Sequence, residues 1–160
     1  MIEECAGTAI VLDRDCYGIA LSANVIAHET RGGIDLRGAH GCTVSANTFT
    51  IVQENALVIG PGSGRITVTG NNFSDSTIGP GQQKREQGDR AASGLSLRRT
   101  SDVAVSGNLF AGVAPKAIGV EGEPSRRVLV SGNVLTEVES DHARLRDSKT
   151  GENLEPAPHR

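Results

Sequence analysis

The sequence predicts an all-β fold, a single-stranded right-handed parallel β-helix (a solenoid) of about five coils. Three observations predict it. Five segments share one pattern: apolar, any, apolar, Ser or Thr, Ala or Gly, Asn, any, apolar. They are YGIALSANVI (17–26), GCTVSANTF (41–49), RITVTGNNF (65–73), DVAVSGNLF (102–110) and RVLVSGNVL (127–135). Their asparagines, Asn24, Asn47, Asn71, Asn108 and Asn133, are spaced by 23, 24, 37 and 25 residues. A second short strand precedes each segment: AIVL (9–12), GIDL (33–36), ALVI (56–59), GLSL (94–97) and AIGV (117–120). Finally, 20 Gly stand against three Phe, one Tyr and no Trp. A globular core wants more aromatic bulk, whereas a narrow column of stacked aliphatic side chains does not.

Each element follows from these patterns. The first strand alternates, so Ile34 and Leu36 share one face, as do Val103 and Val105 in the second strand. Parallel coils stacked about 4.8 Å apart place like residue over like, which turns each inward position into a column. A third short strand is led by Ile26, Phe49, Phe73, Phe110 and Leu135, two residues after each Asn, so the phenylalanines form an inward stack. Each Asn is expected at a tight bend in the left-handed backbone conformation, with Gly or Ala before it keeping the corner small. The side-chain amides then bond from coil to coil as a buried ladder. Cys42 falls on an inward position and reads as a small hydrophobe. Ser22, Ser45, Thr69, Ser106 and Ser131 make a hydroxyl column beside the ladder, expected to hydrogen-bond along the stack.

The domain prediction is a β-helix over 1–138 with a polar loop insertion at 75–93, followed by a short cap or disordered tail at 139–160. Ser140 suits the start of a short helix through Leu145. The chain enters a strand almost at once after Met1, without an amphipathic segment to cover the first coil. Further coils of a longer chain, or a homo-oligomer, are therefore expected to cover the open ends.

Composition narrows the partners. A net charge of −3 argues against nucleic acid, which favours a strongly basic face. No stretch has the length of a membrane helix. Cys5, Cys16 and Cys42 are odd in number and lack the spacing of a metal knuckle, so no metal or other cofactor is expected.

The cadence GLSLRRTSDVAVSGNLF (94–110) resembles the β-helix repeat of the pectin-lyase-like superfamily, and the resemblance covers about residues 8–138. It implies the fold and an extracellular or periplasmic, carbohydrate-linked role, although the chain itself shows no signal peptide. It does not imply one activity, because that superfamily holds lyases, hydrolases, epimerases, tailspikes and carbohydrate-binding proteins. Gly38-Ala39-His40-Gly41 is the only echo of the polygalacturonase Gly-His-Gly, and the paired aspartates are missing. Of the carboxylates that a pectate-lyase-like calcium cluster needs, only Asp35 is well placed. The Asp-Pro-His-Asp signature of uronan epimerases is absent.

Site candidates come from the outward register of the first strand. One column runs Val11, Asp35, Val58, Ser96, Gly119, and the next Asp13, Arg37, Gly60, Arg98, Glu121. Asp13 lies one rung from Arg37, which predicts a surface ion pair. As a binding face, Asp35 and Asp13 offer carboxylates while Arg37 and Arg98, with Ser96 beside them, suit sugar hydroxyls or uronate carboxylates. Lys84 and Arg85, with Arg90, are expected to complete a basic rim from the insertion. The weak catalytic candidates are Asp35, Asp13 and His40; neither His40 nor His28 has a carboxylate at a catalytic spacing. Two functions stand at this level. One is a carbohydrate-associated β-helix that binds or acts on a polysaccharide or oligosaccharide, uronate-containing among others, along the first-strand face. If it is an enzyme, it is a polysaccharide lyase or glycoside hydrolase. The other is a non-catalytic structural or adhesive solenoid segment of a larger surface or phage protein.

Overall fold

The computed structural model describes residues 1–28, 30–74, 93–136, 138, 140 and 149–151. Residues 75–92 of the expected insertion, with Lys84, Arg85 and Arg90, lie outside them, as does the expected helix through Leu145. Ser93 belongs to a strand rather than to the loop.

Strand β1 (Ile2–Glu3) precedes the first full coil, β2 (Thr8–Leu12), β3 (Ala20–Ser22) and β4 (Val25–Ala27). The later coils repeat this order. They are β5 (Gly32–Leu36), β6 (Thr43–Ser45) and β7 (Thr48–Thr50); then β8 (Asn55–Ile59), β9 (Gly64–Thr69) and β10 (Asn72–Ser74). Next come β11 (Ser93–Leu97), β12 (Ser101–Ser106) and β13 (Leu109–Ala111), then β14 (Ile118–Val120), β15 (Arg126–Ser131) and β16 (Val134–Thr136). Strand β17 (Lys149–Gly151) adds a rung beside β15. First strands pair only with first strands, second with second and third with third, giving three parallel sheets in the order of the coils. The end strands β1 and β17 escaped the sequence reading because each is too short to carry the repeat.

The inward columns are those the alternation predicts. Ile34, Leu57, Leu95 and Ile118 line one, and Val44, Val68, Val105 and Val130 another, all fully buried. The rings of Phe49, Phe73 and Phe110 stack with centroids 4.8 and 4.6 Å apart and planes within 4°. The space beside the rings is bought with glycine. A Cβ on Gly94 would stand 2.5 Å from the Ala117 carbonyl oxygen and 2.9 Å from the Phe110 ring. On Gly33 it would stand 2.0 Å from the Ala56 carbonyl oxygen. Cys42 is buried as expected, and all three cysteines are free thiols.

The Asn ladder is present, with one correction to its geometry. The left-handed residue is the one before each Asn: Ala23, Ala46, Gly70, Gly107 and Gly132, with φ from 54° to 65°. The Asn itself keeps a negative φ, and its backbone N–H is directed at a partner on the next coil. The backbone N–H and Nδ2–H of Asn47 both donate to Asn71 Oδ1 at 3.0 Å. The same pair of bonds runs from Asn24 to Asn47, from Asn71 to Asn108 and from Asn108 to Asn133. Nδ2 of Asn71 also donates to Val44 O at 2.9 Å, one coil back. Asn47, Asn71, Asn108 and Asn133 are at most 2% exposed, so each amide satisfies groups that water cannot reach. The neighbouring hydroxyl column keeps its register, but its hydroxyls make no bonds along the stack. They are at least partly exposed; the backbone carbonyls of Ser22, Thr69, Ser106 and Ser131 accept from the Asn amides instead.

Candidate functional site

The outward first-strand columns stand in the expected register, with Val11, Asp35, Val58, Ser96 and Gly119 paired in succession. Asp35 and Val58 of that column border an open groove of about 280 Å³. Its floor is small (Gly7, Thr8, Gly32, Gly33, Asn55, Val58) and its sides carry Arg31, Asp35, Arg37, Glu54 and Arg98. Glycine and threonine follow from the tight third-to-first turn, which leaves the backbone uncovered there.

The charged side chains are tied in pairs. Arg37 Nε donates to Asp35 Oδ2 at 2.7 Å, and that bond raises the guanidinium's pKa above its ordinary value. The expected Asp13–Arg37 pair is not formed. Asp35 and Arg37 are two apart on one strand and so leave the sheet on the same side. Asp13, exposed in the next turn, accepts the Arg14 backbone N–H at 2.8 Å and adds only a minor attraction to Arg37. Arg31 Nε pairs with Glu54 Oε1 at 3.0 Å. Around Ser96 a network closes: Arg98 Nε lies 3.0 Å from Glu121 Oε2 and donates to Ser96 Oγ at 3.2 Å. The Ser96 hydroxyl donates to Glu121 Oε1 at 2.6 Å and is fully buried.

Thus Asp35, Arg37 and Arg98 are brought to one groove, with Ser96 beneath Arg98. Asp13 does not line it. His40 is on a different corner, half-buried, its ring stacked on Tyr17 at 5.5 Å and 17°. The three catalytic candidates are therefore not assembled into one constellation. Among the described residues no three His, Cys, Asp or Glu side chains group as metal ligands would. No helix among them is long and apolar enough to cross a membrane.

A second, larger groove of about 510 Å³ lies where the first sheet turns into the second. Arg65, Arg99, Arg126 and Arg127 border it, with Asp102, Glu123 and His40. Arg127 grips Asp102 with two bonds, Nε to Oδ1 at 2.6 Å and Nη2 to Oδ2 at 2.8 Å. Those bonds, with Ser101 and Arg65 nearby, lower the Asp102 pKa from 3.8 to about 2. Sequence reasoning passed over this groove. The available signal was an Arg at or just ahead of the start of three successive second strands, in GRITV, RRTSDV and RRVLV. A net negative chain drew the eye away from it.

The family described as the right handed beta helix region matches residues 1–153. The chain belongs to that family. Five stacked coils of parallel strands agree with it, and the family fixes the hand of this β-helix. No curated protein and no solved structure matches it significantly.

Proposed function

We propose that this β-helix binds a carbohydrate chain in the groove of its first sheet, without itself cleaving it. The observation that carries the reading is the pairing of charges, within one rung for Asp35–Arg37 and across neighbouring rungs for Arg98–Glu121. Asp35–Arg37 and the Ser96–Arg98–Glu121 network hold guanidinium and carboxylate groups in fixed geometry over a floor of small residues. A paired carboxylate keeps acceptor lone pairs and a paired guanidinium keeps N–H donors, which together suit vicinal sugar hydroxyls. Pairing also holds the groove near neutral, so hydrogen bonds rather than net charge set selectivity. Binding is favoured over cleavage because His40 and Asp13 stand away from Asp35. The resemblance to pectin-lyase-like repeats agrees with a polysaccharide or oligosaccharide ligand, uronate-containing among others, and with an extracellular or periplasmic setting. No resident cofactor is needed for this reading, calcium included.

One observation favours a second reading. Every charged side chain named in this groove already has a partner, as in a solvated surface whose only task is solubility. A structural or adhesive solenoid segment, covered at its ends by further coils or by copies of itself, would look the same.

Calorimetric titration with a panel of neutral and uronate oligosaccharides separates them. The native chain should bind one class, and Arg98→Ala should weaken that binding about tenfold by removing a charge-assisted donor. Asp35→Ala should do the same while absorbance of unsaturated product stays flat for every member. A panel with no binder removes the carbohydrate reading; steady product formation removes the non-catalytic part of it.

A further inference from the structure

We infer that the arginine groove between the first and second sheets is a separate site for the anionic groups of an acidic polysaccharide, sulfate ester or carboxylate. Three observations converge on it. Four guanidinium groups stand against two carboxylates, Asp102 and Glu123, an excess of two positive charges in a chain whose net charge is −3. Asp102 is occupied by Arg127, whereas the guanidinium groups of Arg99 and Arg126 make no hydrogen bond or ion pair among the described residues.

The backbone supplies the second observation. Arg65 (φ 56°), Arg99 (φ 47°), Asp102 (φ 58°) and Arg127 (φ 52°) are all left-handed. At the matching position before the second strand the first two coils carry Gly18 and Gly41, and at the position of Arg99 two other coils carry Gly38 and Gly122. Glycine adopts this conformation freely, and a residue with a Cβ does so at a cost. The groove therefore places charged side chains where the fold is best served by none. Of the ten non-glycine residues in this conformation among the described residues, four meet at this groove, and strained positions that cluster point to a site.

Rigidity is the third. Beneath the arginines, Thr100 N–H donates to Ser125 Oγ at 3.1 Å and Thr100 Oγ1 donates to Ser63 O at 2.6 Å. Ser63 Oγ in turn donates to Leu36 O and accepts from Ala39 N–H, both at 3.2 Å. These hydroxyls are at most 4% exposed, so the turn that carries Arg99 and leads to Arg126 is pinned from inside. A preorganised guanidinium loses little freedom on gripping a carboxylate or sulfate through its planar fork. The volume is that of a site for a small ligand or a few residues of a chain.

The test is titration of the native chain at low salt with dextran sulfate, polygalacturonate, neutral dextran and a single-stranded oligonucleotide. Binding of either acidic polysaccharide but not of neutral dextran is expected, and which one binds assigns sulfate or carboxylate. The double variant Arg65→Ala/Arg126→Ala should weaken it at least about tenfold. Arg126→Ala alone should weaken it several-fold, whereas Arg14→Ala, which removes one charge outside the groove, should change it less than about twofold. Arg65→Gly and Arg99→Gly should weaken binding while raising the melting temperature, a combination that a structural role does not give. The inference falls if neither acidic polysaccharide binds, or if the oligonucleotide binds more tightly than both. It also falls if Arg14→Ala matches the double variant, or if the glycine variants melt lower. These outcomes are independent of whether the first-sheet groove takes a neutral oligosaccharide.

Discussion

Two corners of each coil use the same backbone conformation for opposite ends. Between the second and third sheets the left-handed position is Ala23, Ala46, Gly70, Gly107 or Gly132, and the next residue is the buried Asn. Between the first and second sheets the corresponding column runs Gly18, Gly41, Arg65, Asp102, Arg127. The first corner is uniform, small and satisfied from within. The second begins in the same style and then fills with charge. A solenoid needs every corner to turn, but it does not need arginine to do the turning. What departs from the repeat is where a ligand has to be sought.

The sharpest way to break the first corner is Asn71→Leu. It removes the Oδ1 that accepts two bonds from Asn47, and the Nδ2 that serves Val44 O and Asn108 Oδ1. Orphaning several buried groups should cost roughly 3 kcal/mol or more in urea denaturation. A loss within about 0.5 kcal/mol would mean the ladder is not buried in solution.

Gly33→Ala comes next, at about 1–3 kcal/mol, because its Cβ would overlap the Ala56 carbonyl 2.0 Å away. Gly41→Ala should cost less, near 1 kcal/mol, since no atom lies nearer than 3.9 Å and only its φ of 64° is strained. Equal losses would show that glycine serves one purpose in the strand and at the corner. Arg65→Gly should reverse the sign and stabilise by about 1 kcal/mol in the same denaturation series. A loss there would make Arg65 part of the scaffold and erase the contrast between the corners.

The smallest effect is on acid. Asp102 has its pKa lowered from 3.8 to about 2 in the folded chain, so the folded state binds its proton less readily than the unfolded one. Its contribution is present above about pH 4 and fades as pH falls toward 2. Asp102→Asn should flatten the stability profile in that window and leave its slope near neutrality unchanged.

The sequence made the repeat legible because five coils spell the same pattern, and repetition is what a stacked core demands. It located the Asn corner but assigned the left-handed turn to Asn itself. Spacing marks a bend, while the hydrogen bonds that decide which residue turns join different coils. Strands β1 and β17 were missed for want of length, not of pairing partners. The first-sheet columns gave the register in which Asp35 and Ser96 stand, yet the ion pair joins Arg37 to Asp35 of its own coil and not to Asp13. The arginine groove was missed because it departs from the repeat that served as the guide.

The ladder also has a direction. Each Asn donates from its own coil to the oxygen of the next, from Asn24 through to Asn133. Aligned amides polarise one another as links in a chain, so the column is a dipolar wire along the axis and not a neutral rivet row. On the first coil it terminates in Asn24 Oδ1, an acceptor that no described residue occupies. Whatever abuts that end of the axis meets a lone pair, and only something bringing an N–H or O–H can extend the current of hydrogen bonds.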